Sequence, residues 1–151
     1  MNISQAETVK IIKFEPEKCK ECLECERACS KVHFGTEDGG KMSAIRIIKE
    51  NSSLRMTNCN QCGLCIDVCP VEALSRRPNG VVWLNKNLCV ACESCVGFCP
   101  GEGMRKAPGH LIPFKCISCG ACVRACPESA LKLEEVRLQE IKQVVYHRLG
   151  V

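Results

Sequence analysis

Aromatic side chains are scarce in this 151-residue sequence, at 4% of residues with one Trp and one Tyr. Such rings usually dominate the buried surface of a domain this size, so something other than aromatic packing must hold the chain together. No stretch approaches the roughly 20 consecutive apolar residues that cross a bilayer. The opening residues MNISQAETVK contain no apolar signal-peptide core, so a cytoplasmic chain without a membrane span is expected. Also missing are a Gly-rich dinucleotide fingerprint, a phosphate loop and any nucleophile-and-base constellation. The chain is therefore not expected to catalyse a bond-making reaction itself.

Cysteine is what the sequence has in abundance, with sixteen residues. In a secreted chain that density would suggest disulfides, but reduced cytosolic thiols at regular spacing suggest metal ligands. All sixteen fall into four runs: CKECLECERAC (19 to 29), CNQCGLCIDVC (59 to 69), CVACESCVGFC (89 to 99) and CISCGACVRAC (116 to 126). Each run is C-x-x-C-x-x-C-x-x-x-C, and no cysteine is left over. Three thiolates at this spacing wrap a loop around one face of a cubane, and the fourth ligand comes from another run. Four [4Fe-4S] clusters are therefore the expected cofactors. Structural zinc needs two C-x-x-C pairs rather than triplets. Haem attachment needs C-x-x-C-H, and no His follows any pair.

The formal charge of +4 counts every thiol as neutral. Metal binding removes those protons, and four clusters of about −2 each bring the loaded chain to about −4. Basic residues beside the runs, including Lys20, Arg27, Arg124 and Lys132, then offset cluster charge, and no nucleic-acid partner is expected. His33, His110 and His147 are assigned no ligand role, and Trp83 is expected in the core.

Pro follows the last cysteine in three runs, at Cys69-Pro70, Cys99-Pro100 and Cys126-Pro127, whereas the first run continues Cys29-Ser30. Strand-like segments precede three runs: TVKIIKF (8 to 14), VVWL (81 to 84) and LIPF (111 to 114). VEAL (71 to 74) and ESAL (128 to 131) suggest short helices, and Pro78-Asn79-Gly80 a turn. Residues 30 to 58 read as an inserted loop, GTEDGG, followed by the strand AIRII (44 to 48). Apolar positions from 134 to 151 suggest an amphipathic C-terminal helix. The fold class is α+β, the small bacterial-ferredoxin pattern used twice. Two pairings of the runs are open, sequential or nested. The shortness of the gap from Cys69 to Cys89, against that from Cys29 to Cys59, favours nesting. An outer module would then span 8 to 29 plus 111 to 133, and an inner module 59 to 110.

The runs CKECLECERACSKVHFG with the following AIRII, CNQCGLCIDVCPVEAL, NLCVACESCVGFCP and FKCISCGACVRACPESALKL resemble a known family. It is the four-cluster ferredoxin-like electron-transfer subunits of oxidoreductase complexes, including hydrogenases, formate dehydrogenases and carbon monoxide dehydrogenases. All four runs are compact here, where many members carry insertions. That makes the chain most similar to the small subunit of tungsten-dependent aldehyde oxidoreductases. The resemblance implies the nested arrangement, with Cys19, Cys22, Cys25 and Cys126 on one cluster and Cys116, Cys119, Cys122 and Cys29 on a second. Cys59, Cys62, Cys65 and Cys99 would hold a third, and Cys89, Cys92, Cys95 and Cys69 a fourth. It also implies a catalytic molybdenum or tungsten oxidoreductase subunit as partner, and a flavin NAD-reducing subunit or soluble ferredoxin as exchange partner. A free-standing polyferredoxin is the alternative, and self-association is left open.

Overall fold

A computed structural model describes residues 6–142. Strand β1 (Thr8–Phe14) buries Val9, Ile11 and Ile12 and turns Lys10 and Lys13 outward. It pairs antiparallel with β6 (Leu131–Arg137), from Thr8 opposite Arg137 to Phe14 opposite Leu131. The segment leading into the first run thus lies beside the segment leaving the fourth. A second hairpin joins β4 (Leu74–Arg76) to β5 (Val82–Leu84) between the second and third runs. Its turn needs Gly80, whose φ is +90° and where a side chain would run into the Thr8 carbonyl oxygen. A third hairpin, β2 (Arg46–Glu50) with β3 (Ser53–Thr57), fills the insertion.

Each run contains the start of one helix. The helices are α1 (Glu24–Phe34), α2 (Leu64–Val68), α3 (Ser94–Phe98) and α4 (Ala121–Ala125). In the last three the helix stops at the residue before the final cysteine, as expected where Pro follows and disfavours helical geometry in its predecessor. In the first run Ser30 replaces Pro, so α1 continues to Phe34 and ends at Gly35, whose φ is +73°. The Ser30 hydroxyl lies 2.9 and 2.8 Å from the carbonyl oxygens of Arg27 and Thr36, sharing its one proton between them, and accepts the Gly39 N–H. α1 packs on α4, and α2 on α3.

Several expectations are corrected. VEAL and ESAL are turns entering β4 and β6, because Glu72 and Ser129 take left-handed conformations that end any helix. LIPF contributes only a bridge between Phe114 and Arg105, since Pro113 supplies no N–H for a ladder. The insertion holds two strands rather than one. Residues 134–137 complete β6, residues 138–142 are helical, and the rest of the expected C-terminal helix, with His147, lies outside the described residues. Trp83 is 38% exposed rather than in the core, and the Arg77 guanidinium stacks 3.9 Å from its ring centroid.

The core is built around sulfur. One buried cluster joins Ile12, Ile45, Phe114 and Leu131 to Cys25, Cys29, Cys116 and Cys122, and another joins Leu74, Val82 and Met104 to Cys95.

Candidate iron-sulfur centres

The four runs share one loop conformation. Each has two residues with positive φ: Glu21 and Leu23, Gln61 and Gly63, Ala91 and Glu93, Ser118 and Gly120. Only two of these are glycine, and left-handed geometry costs other residues about 1–2 kcal/mol each. Strain of this kind persists where a site uses it. Here it turns an amide inward in every loop. Glu21, Gln61, Ala91 and Ser118 donate their backbone N–H groups to Sγ of Cys19, Cys59, Cys89 and Cys116 at 3.4, 3.2, 3.4 and 3.4 Å. Inward-pointing amides form a concavity suited to a negatively charged group such as a thiolate-ligated cluster.

The last cysteine of each run is held in the same manner. Ala73, Gly103 and Ala130, each four residues on, donate N–H to Sγ of Cys69, Cys99 and Cys126 at 3.3, 3.2 and 3.3 Å. The residue before each donor has positive φ: Glu72, Glu102 and Ser129. The first run cannot make this turn, because α1 continues past Cys29. Its donor is Ala44, fifteen residues on, whose N–H reaches Cys29 Sγ at 3.3 Å. The buried Glu26 side chain anchors that segment: Oε1 accepts the Gly40 N–H at 3.1 Å and Oε2 the Ile47 N–H at 2.8 Å. Glu26 was not expected from sequence, where a helical Glu reads as a solvated charge.

Two cavities are ringed by four cysteines. One is lined by Cys19, Cys22, Cys25 and Cys126 with Phe14, Ile47 and Leu131. The other is lined by Cys59, Cys62, Cys65 and Cys99 with Met104 and Lys115. Among the described residues no three His, Cys, Asp or Glu side chains close on a single-ion point. Four sulfurs spread around one cavity, rather than converging on a point, suit a multi-atom cluster instead. The other eight cysteines are related electrostatically. Cys122 has Cys116, Cys29, Cys119 and Cys25 among its interacting neighbours, and Cys95 has Cys89 and Cys69.

Burial pushes the thiols of Cys25, Cys65 and Cys116 up to about 12 and that of Cys95 to about 11. Protons are therefore held tightly until a metal replaces them. Cys22, Cys92 and Cys119 are exposed, so three of the four loops reach the surface. The donor set is soft sulfur throughout, ringed by N–H donors and apolar walls, and it fits an iron-sulfur cluster. Among the basic residues singled out from sequence, Lys20 pairs with Glu128 at 3.3 Å and Lys132 with Glu15 at 3.3 Å. Arg27 and Arg124 donate to the carbonyls of Cys22 and Cys119. His33 packs edge-on against Phe114, and His110 packs tilted against Phe34.

Residues 11–71 and 81–127 match the 4Fe-4S dicluster domain family, and residues 115–149 match a second family of the same description. The chain belongs to the 4Fe-4S dicluster domain family, and its domains are ferredoxin-like. Its similarities reach several curated relatives. A ferredoxin of Methanocaldococcus jannaschii is 33% identical over 84 residues, covering 54% of this chain and 48% of that protein. Hydrogenase-4 component A of Escherichia coli (strain K12) is 33% identical over 78 residues, covering 50% and 37%. NADH-quinone oxidoreductase subunit I 2 of Aquifex aeolicus is 30% identical over 64 residues, covering 42% and 31%. The chain spans less than half the length of each. Among the described residues no helix is long and apolar enough to cross a membrane.

Proposed function

We propose that this chain is the electron-transfer subunit of an oxidoreductase complex and relays single electrons along four [4Fe-4S] clusters. The observation that carries the reading is the loop that recurs in all four runs, with an N–H group on the first and last sulfur of each. Clusters supply the one-electron chemistry. The protein separates them, keeps water from the buried sulfurs and sets their potentials through N–H donors and burial.

The cysteines divide in the nested manner. Cys19, Cys22, Cys25 and Cys126 hold one cluster, and Cys116, Cys119, Cys122 and Cys29 its partner in an outer module of 8–29 and 111–133. Cys59, Cys62, Cys65 and Cys99, with Cys89, Cys92, Cys95 and Cys69, form the inner module of 59–110. Support comes from the two four-cysteine cavities and from the packing of α1 on α4 and α2 on α3. The catalytic partner is a tungsten or molybdenum oxidoreductase subunit of the aldehyde-oxidising kind, in the cytoplasm. That part rests on the resemblance of the four compact runs. Relatives named as hydrogenase and NADH-quinone oxidoreductase components favour a complex over a free polyferredoxin.

Iron and acid-labile sulfide on anaerobically purified protein should each come to about sixteen per chain, with interacting [4Fe-4S] signals in EPR after reduction. Zinc in place of iron would refute the reading. The double variant Cys22→Ala/Cys126→Ala should lose about four irons under nesting and about eight under sequential pairing. Copurification in fixed ratio with a large metalloenzyme chain, against elution alone, separates subunit from free carrier.

A further inference from the structure

Lys115 lies immediately before the fourth run and is 3% exposed. Its Nζ donates to Gln61 Oε1 at 2.8 Å, the Val82 carbonyl at 2.7 Å and the Cys116 carbonyl at 2.8 Å. Three acceptors around one nitrogen define an ammonium with every N–H used. All three acceptors are neutral oxygens. Gln61, itself fully buried, ties the second and fourth runs together. Its Nε2 donates to the Cys116 carbonyl at 2.8 Å and to Ser118 Oγ at 3.2 Å. Its backbone N–H is the one on Cys59 Sγ, as that of Ser118 is on Cys116 Sγ.

A buried cation among neutral dipoles is costly unless negative charge lies close by. Here the negative charge would be on either side of it. Lys115 lines the cavity ringed by Cys59, Cys62, Cys65 and Cys99, and it adjoins Cys116 of the neighbouring set.

We infer that Lys115 is the shared countercharge of the two central clusters, on Cys59, Cys62, Cys65 and Cys99 and on Cys116, Cys119, Cys122 and Cys29, and raises both reduction potentials. The inference rests on the four-cluster nested reading. Reduction adds an electron to each cluster, and a fixed cation in a low-dielectric interior stabilises the reduced form more than the oxidised one. The middle of the row therefore accepts electrons more readily than it would without Lys115. Lys115 is a positioning and tuning residue, not a ligand.

The test is an EPR-monitored redox titration of the full chain carrying its complete iron, comparing wild type with Lys115→Met, Lys115→Gln and Lys115→Arg. In a neutral variant, two of the four clusters should show at least a tenfold lower reduced-to-oxidised ratio at fixed potential, which is about 59 mV for one electron. The other two should barely move, and Lys115→Arg should stay near wild type. Lys115→Gln keeps two donors for the three acceptors and serves if Lys115→Met fails to load. A fully loaded neutral variant whose four potentials match wild type, or all shift alike, would overturn the inference. An iron content far below sixteen in the wild-type chain would instead refute the four-cluster reading beneath it.

Discussion

Gly103 is where backbone packing and cluster retention meet, and Gly103→Ala tests whether the cysteine loops tolerate displacement. A methyl group built there sits 2.5 Å from Cys59 Cα and 2.7 Å from Cys59 N. Ordinary contact between carbons begins at about 3.5 Å, so the overlap is about 1 Å. Both atoms it meets are backbone, so no flexible side chain can swing aside. Relief requires moving either the loop at Cys59 or the segment of Gly103, whose own N–H holds Cys99 Sγ at 3.2 Å. Both cysteines line one cavity. Overpacking of this kind costs about 1–3 kcal/mol. For a chain of this size each kcal/mol is about 2–4 °C in Tm, so a fall of about 2–12 °C is expected, with iron dropping from about sixteen towards twelve. Gly97 in α3 supplies the control, because nothing lies within 4 Å of its added methyl. Gly97→Ala should stabilise by about 0.5–1 kcal/mol. Differential scanning calorimetry and iron analysis on the anaerobic proteins read both effects. A Gly103→Ala protein with wild-type iron and Tm would refute the reasoning.

Two further substitutions probe the surroundings of the outer sites. Glu26→Ala strands the Gly40 and Ile47 N–H groups that pin the insertion, and hydrogen bonds to a charged group contribute about 1.5–3 kcal/mol each. A loss of about 3–6 kcal/mol and faster proteolysis between residues 35 and 47 are expected; unchanged cleavage would show that the anchor is dispensable. Burial, with Lys86 and Lys115 adding to it, pushes His33 from 6.5 down to about 4. The unfolded chain therefore binds a proton that the folded chain refuses between those values. The stability concerned is complete above about pH 6.5 and is lost as pH falls towards 4; after discounting for partial exposure it comes to about 1–2 kcal/mol. His33→Phe should remove that loss, so that the Tm gap between wild type and variant changes between pH 7.5 and 5.0, while acid damage to clusters is common to both. A gap that is constant with pH would contradict the assignment.

Sequence alone determined the soft-sulfur donor set, because sixteen cysteines at one repeated spacing are a local property of the chain and no folding is needed to read them. It also determined where three of the four helices end, through Pro70, Pro100 and Pro127. It misread the segments after those prolines. VEAL and ESAL have helical composition, but the N–H of Ala73 and of Ala130 is committed to a sulfur, which forces a left-handed residue before it. What only tertiary structure decided depends on partners distant in the chain. Ala44 replaces the missing turn after Cys29 because α1 runs on and the insertion folds back beneath Glu26. Gln61 meets Cys116 and Ser118 across more than fifty residues, and Lys115 meets Val82. In sequence these are an ordinary amide and an ordinary basic residue. Burial makes them specific, because a polar group removed from water must find its hydrogen bonds within the protein, and the fold decides which groups are within reach.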